Sequence, residues 1–95
     1  MSTRIQQLWR QWQARPFPQL GKDIGDFPLY DSFLAGIASR AVDGERFSPD
    51  DVPQPDIGTI SAIRELRQKQ RRSTRENELL EYYSLLEEIQ AAIVR

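Results

Sequence analysis

The longest stretch without glycine or proline is residues 59–95, TISAIRELRQKQRRSTRENELLEYYSLLEEIQAAIVR. As one continuous helix it would extend for about 55 Å. Its two halves have different apolar patterns. In the first half the apolar residues are three apart, a spacing that drifts around an α-helix. In the second half they alternate three and four apart, the spacing of a helix-packing seam, at Leu79, Tyr82, Leu86, Ile89 and Ile93.

The two patterns are separated by residues 67–78, which contain no apolar side chain. Within this gap Ser73 and Glu76 have the spacing of a capping box, in which each side chain satisfies the other residue's backbone N–H. The pattern therefore predicts two helices, at 59–71 and 74–94, joined by a tight turn. One continuous helix is the alternative.

Two further helices are predicted upstream. The first covers residues 3–14. Its apolar residues share one helical face: Ile5, Leu8, Trp9 and Trp12. Thr3 or Ser2 is the predicted N-cap, and Pro16 lies just beyond the end of the helix. Because arginines flank this face, docking on a membrane surface is an alternative, but packing as a core helix is the favoured interpretation. Residues 16–26 are predicted to form an ordered connection.

The second upstream helix is predicted at 28–42. Pro28 suits the first helical position, Asp31 is placed in the first turn, and Gly44 provides the stop. Gly36 lies in the middle of this helix, which predicts the close approach of another backbone. Residues 45–58 hold three prolines and read as a loop, with a single helical turn after Ser48.

We therefore predict an all-α fold, a small bundle of three to four helices with a C-terminal antiparallel helical hairpin, in one domain spanning residues 1–95. Hydrophobic residues make up 39% of the chain, which is enough for a folded core. The predicted core residues are Ile5, Leu8, Trp12, Phe33, Ile37, Ile63, Leu79, Leu86, Ile89 and Ile93.

The composition argues against an enzyme. The chain contains no cysteine and no histidine, which removes thiol nucleophiles, imidazole bases and the usual zinc ligands. It has no phosphate-binding glycine loop and no serine nucleophile motif. We expect no catalytic residues, no metal site and no cofactor.

No apolar stretch is long enough to cross a bilayer or to form a secretory signal, so a cytoplasmic location is expected.

The C-terminal helix suggests a contact with another protein. Beside its seam it carries three more apolar side chains, Leu80, Tyr83 and Leu85. A helix that is apolar on more than one side is either central in its bundle or meets a partner. We favour a partner, as a twofold homodimer or with an unknown protein. The function hypothesis is a non-catalytic interaction module, a small bacterial regulator or accessory subunit that self-associates through this helix.

Nucleic-acid binding is the alternative function. The segment 64–75 contains one glutamate against six cations, Arg64, Arg67, Lys69, Arg71, Arg72 and Arg75. Such a cluster can follow a phosphate backbone. Three features argue against nucleic-acid binding. The segment has no aromatic residue for base stacking, and its cations lie near the end of the predicted helix, where the helix dipole favours positive charge. Residues 23–56 also carry an excess of acidic residues that could pair with these cations.

Overall fold

Four α-helices build the protein, as seen in a computed structural model that describes residues 3–94. The helices are α1 (Arg4–Gln13), α2 (Phe27–Val42), α3 (Ile57–Gln68) and α4 (Thr74–Ile93). Within the described residues there are no strands. The predicted all-α fold, a small helical bundle, is therefore confirmed, and a short turn joins α3 to α4 at the C-terminal end of the chain.

Local caps set the starts of α1 and α4. The Thr3 hydroxyl accepts from the Gln6 backbone N–H at 3.3 Å, and the Gln6 side chain accepts in return from the Thr3 N–H. The same reciprocal pair forms between Ser73 and Glu76, at 3.2 Å and 2.8 Å. Because Ser73 has an extended backbone, α3 and α4 are separate helices, and the continuous-helix alternative is wrong. The other predicted cap of α1, Ser2, lies outside the described residues.

Helix α3 is displaced toward the N-terminus from its predicted range of 59–71. It starts at Ile57 because the Asp56 carboxylate caps it, accepting from the Thr59 N–H at 2.8 Å. It ends at Gln68, and the Arg72 guanidinium donates to the carbonyls of Leu66 and Lys69 at 3.1 Å. A side chain from the turn thus binds carbonyls that a longer helix would have satisfied itself.

Helix α4 occupies the centre of the bundle and packs against α1, α2 and α3. It runs antiparallel to α1, with ion pairs Arg4–Glu88 and Arg15–Glu81 along the shared edge. Apolar side chains on several of its sides are buried: Leu79, Tyr82, Tyr83, Leu85, Leu86, Ile89 and Ile93. The width of its apolar surface therefore reflects contacts with several helices of the same chain.

An aromatic cluster forms where α2 starts against α4. The Phe27 side chain is fully buried, and four other rings surround it with centroids 5.5–6.3 Å away. These rings belong to Phe17, Tyr30, Tyr82 and Tyr83. Phe17 comes from the connection between α1 and α2, so this segment is ordered by packing onto the core, as predicted.

The buried side of α2 differs from the prediction. Phe33 was expected in the core but is 58% exposed, whereas Leu34 is fully buried. The buried stripe of α2 consists of Phe27, Tyr30, Leu34 and Ala38. The prediction was wrong at Phe33 because α2 carries two overlapping apolar stripes, and either one satisfies helical periodicity. Of the other predicted core residues, Ile5 and Ile37 are half-buried and the rest are buried.

Asp26 joins the start of α2 to the start of α3. Its Oδ1 accepts from the Asp56 backbone N–H at 3.1 Å and from the Thr59 hydroxyl at 3.3 Å. Gly25, just before it, has a φ of 43° and lies so close to α3 that a Cβ would be 2.7 Å from the Thr59 hydroxyl. Glycine is needed here for both conformation and space.

Three further local expectations for α2 were wrong. Pro28 is at the second helical position, because the helix starts at Phe27. Gly36 makes no close approach within the chain, since nothing lies within 4 Å of where its Cβ would be. Asp31 is in the second turn of α2, because the helix starts at Phe27. The predicted helical turn after Ser48 is confirmed at Pro49–Asp51.

Candidate interaction surfaces

The residues predicted to contact a partner through α4 lie largely inside the bundle. Tyr83 and Leu85 are only 7% and 6% exposed. Leu80 is half-buried and lies with Leu85 along an open groove of about 490 Å³ between α1 and α4. The groove also holds charged side chains, among them Arg15 and Glu81 of one ion pair. Of the three predicted residues, Leu80 therefore keeps the most surface for a partner.

Half of the cations in the basic segment are engaged within the chain. Arg67 binds the Glu87 carboxylate and lies over the Tyr83 ring, 5.6 Å from its centroid. The Lys69 ammonium is 2.6 Å from a Glu76 carboxylate oxygen. Arg72 donates to the carbonyls at the end of α3 and to the Asn77 side chain. These three side chains stabilise the α3–α4 hairpin.

The other three cations are Arg64, Arg71 and Arg75. All three are exposed, and within residues 3–94 none has a carboxylate at ion-pair distance. They come from α3, the turn and the first turn of α4, respectively. Among the described residues, carboxylates therefore pair only Arg67 and Lys69, and Arg72 keeps its charge although backbone and amide oxygens hold its side chain.

An exposed apolar surface lies elsewhere, on α2 and α3. Its four members are Leu29, Phe33, Ile57 and Ile60, which are 53%, 58%, 82% and 38% exposed. All four fall within the first two turns of α2 or α3, whose starts Asp26 holds together. We call them the α2–α3 apolar surface. Sequence reasoning missed it, although Leu29 and Phe33 are four residues apart and so share a helical face.

A hydrogen-bonded chain of three side chains crosses the core. The Trp12 indole Nε1 donates to the Tyr82 hydroxyl at 2.7 Å, and this hydroxyl donates to Asp31 Oδ1 at 2.6 Å. Burial raises the pKa of the Asp31 carboxyl, and the hydrogen bond from Tyr82 opposes this rise. The chain ties α1, α4 and α2 together, so its role is structural.

Within residues 3–94, no buried side-chain nitrogen or oxygen lacks a hydrogen-bond partner, and no three acidic side chains are grouped to hold a metal ion. Glu81, Glu87 and Glu88 of α4 are exposed.

Helix α1 packs as the core helix that its pattern predicted. Trp12 is 5% exposed and Trp9 is half-buried, with their rings in an edge-to-face contact. Among the described residues, no helix has both the length and the apolar character needed to cross a membrane.

The three tyrosines predict that alkaline pH destabilises the protein. Burial raises the pKa of Tyr30, Tyr82 and Tyr83 above the ordinary value of 10.0. The folded state thus favours the neutral phenol, and this stabilisation is complete below pH 10 and is lost as the pH rises from there. We expect the free energy of unfolding, measured by urea titration, to fall as the pH is raised above about 10.

Tyr30→Phe provides the control for this prediction. Its side chain cannot ionise, so the variant is expected to lose less stability over the same pH range. If the folded protein developed tyrosinate absorbance at the pH typical of free tyrosine, the raised pKa values would be contradicted.

Comparisons with known proteins add no family to this description. No protein-family model, no curated protein and no solved structure matches the chain.

Proposed function

We propose that the protein is a non-catalytic protein–protein interaction module, a small regulator or accessory subunit. The observation that carries this proposal is the α2–α3 apolar surface. Its four large side chains are exposed although the same chain buries apolar residues on every helix. Since burying such side chains is favourable, a surface of this kind is typical of a site that another protein covers.

The size of the surface supports this interpretation. A fully exposed side chain of this size presents on the order of 150–200 Å². With the observed exposures, the four residues present on the order of 400 Å², and patches of this size on monomers often have a function. Two of the four residues lie on each helix, and the Asp26 side chain links the starts of α2 and α3.

The proposed contact with another protein is on α2 and α3. A contact through the C-terminal helix α4, as the sequence predicted, would depend mainly on Leu80. Tyr83 and Leu85 have little surface left to offer. Nucleic-acid binding has less support, because Arg67, Lys69 and Arg72 are held by the hairpin. A charge-removal test of nucleic-acid binding belongs at Arg64, Arg71 and Arg75, since replacing Arg72 would also disturb the end of α3.

The double variant Leu29→Ser, Phe33→Ser tests the proposed function. Chemical cross-linking in cells that produce the protein is expected to join the wild type to a protein, a second copy included, and the double variant is expected to lose this product. Both side chains are more than half exposed, so the fold should be retained. Circular dichroism verifies that it is.

Two further variants make the result specific. Gln13→Ser, Gln70→Ser changes two exposed residues, one of α1 and one of the turn before α4, and should leave cross-linking unchanged. Loss of the product in Leu80→Ser, with retention in the double variant, would assign the contact to α4. The absence of any product that depends on either surface would contradict the interaction-module proposal.

A further inference from the structure

An open groove of about 310 Å³ lies between α3 and α4. Its apolar lining consists of Ile60, Ile63 and Tyr83. The Ile63 and Tyr83 side chains are buried by the chain itself, whereas Ile60 is 38% exposed. We call this feature the α3–α4 groove. It includes Ile60 of the α2–α3 apolar surface, and at this residue it offers apolar area to another molecule.

The charges along the groove do not cancel. Arg67 and Glu87, on opposite helices, form an ion pair, and the Arg67 guanidinium lies over the Tyr83 ring. Arg64 also lines the groove, but within residues 3–94 it has neither a carboxylate at ion-pair distance nor a side-chain hydrogen bond. Two arginines against one glutamate leave the groove with a net charge of +1. The group that complements this charge is a carboxylate.

Gln68 adds a second hydrogen-bond donor next to Arg64. The two residues are four apart on α3, so their side chains are neighbours on the helix surface, and both line the groove. Among the described residues the Gln68 side chain, like that of Arg64, makes no hydrogen bond. A guanidinium can donate two parallel hydrogen bonds to one carboxylate, and a side-chain amide can donate a further one. This part of the groove is therefore suited to an acidic side chain.

We propose that the α3–α4 groove binds an amphipathic helix of another protein, with an apolar side chain of that helix on Ile60 and a carboxylate on Arg64. This inference rests on the proposed function and gives the chemistry of the partner at the α3 part of the α2–α3 apolar surface. Grooves between helices bind amphipathic helices through a few apolar anchors. An unpaired charge beside such an anchor selects a partner of opposite charge and fixes its orientation.

The spacing of residues on α3 sets the pattern that the partner needs. Ile57, Ile60 and Arg64 are three and four residues apart and share one face of α3. Ile60 and Arg64 are separated by about 6 Å along the helix axis. A partner helix lying along α3 therefore needs an apolar and an acidic residue about one turn apart. Ile57, which is 82% exposed, offers a second apolar contact one turn before Ile60.

A synthetic peptide of about 15 residues tests the proposal, since much shorter helices are marginal in water. It is built of alanine and glutamine, with one leucine and one glutamate four residues apart. Its binding to the protein is followed by two-dimensional NMR. We expect shifts in the amide signals of Ile60 and Arg64 and in the Arg64 Nε–H signal. One apolar contact and one exposed ion pair give weak binding, with an expected dissociation constant of about 0.1–1 mM.

Two control peptides separate the apolar and the charged parts of the contact. Lysine in place of the glutamate should weaken binding at least about fivefold, because like charges then meet at Arg64. Alanine in place of the leucine should also weaken binding, because the contact with Ile60 is lost.

Arg64→Gln tests the charge from the side of the protein. Arg64 is exposed, so the variant should keep the fold, which its NMR spectrum verifies. It should bind the glutamate peptide about twofold to fivefold more weakly, the range expected for an exposed ion pair. The matched control is Arg10→Gln, which removes the same charge from the exposed surface of α1 and should bind like the wild type.

Shifts at Ile60 and Arg64 with the glutamate peptide, and weaker binding in Arg64→Gln but not in Arg10→Gln, would support the proposal. No shifts at these residues with the peptide at about 1 mM would overturn it. Equal binding of the glutamate and lysine peptides, or equal weakening in the two variants, would also overturn it. Shifts of the same signals with protein concentration alone would assign the groove to a second copy instead. In each of these cases, a cross-linked product that depends on Leu29 and Phe33 would leave the interaction-module proposal intact.

Discussion

Phe27→Ala is expected to lower the free energy of unfolding by about 3–5 kcal/mol. The ring is fully buried and contacts four other aromatic rings that come from three parts of the chain. Its removal leaves a cavity that these rigid rings fill poorly. Because small domains are stable by only about 5–15 kcal/mol, this loss should bring the protein close to unfolding. Urea titration followed by far-ultraviolet circular dichroism measures it.

Phe33→Ala is the matched control for this experiment. It is the same substitution in the same helix, but the ring is 58% exposed, so the expected loss is within about 1 kcal/mol. Similar losses in the two variants would contradict the assigned orientation of α2. A larger loss of unfolding free energy in Phe33→Ala than in Phe27→Ala would show that Phe33 is the buried residue, as the sequence pattern had predicted.

Tyr82→Phe is expected to lower the free energy of unfolding by about 2–3 kcal/mol. The variant keeps the ring and its packing but removes the hydroxyl that joins Trp12 to Asp31. Two polar groups then lose their partner at once: the buried indole N–H and a half-buried carboxyl. An unsatisfied buried donor or acceptor costs more than the net gain of one ordinary hydrogen bond.

The size of this coupling is measured by a double-mutant cycle with Trp12→Phe. Once the indole N–H is absent, removing the Tyr82 hydroxyl should cost less than it does in the wild type. Tyr30→Phe serves as the reference, because its hydroxyl makes a single hydrogen bond to Gln90, at 3.0 Å. Additive losses in the cycle would show that Trp12 and Tyr82 act independently and would contradict the three-residue chain.

Much of the helical framework was predictable because its signals are local. The α1 cap, the Ser73–Glu76 capping box and the turn after Ser48 each involve residues a few positions apart, and all three form as expected. The limits of α3 were less accurate. Its end depends on Arg72, a turn residue whose contact with the Leu66 carbonyl no periodicity argument reveals.

The candidate surfaces were harder to predict, because exposure depends on the neighbours of a helix. Leu80, Tyr83 and Leu85 widened the apolar surface of α4, and the sequence left two interpretations open, a central helix or a partner. In the structure α4 is central, and Tyr83 and Leu85 are buried by the chain itself. Leu29 and Phe33 are exposed instead, because the other side of α2 packs against α1 and α4.

The sequence by itself determined that the chain is all-helical with three to four helices, and approximately where each of them begins and ends. Caps, prolines and apolar spacing act within a few residues, so they can be read without knowledge of the fold. Only the tertiary structure decided which side of α2 is buried and which cations are free. These properties depend on contacts between residues far apart in the chain, such as Tyr82 with Asp31 and Arg67 with Glu87. The exposure of Leu29 and Phe33 became visible only once the core was known to lie on the other side of α2.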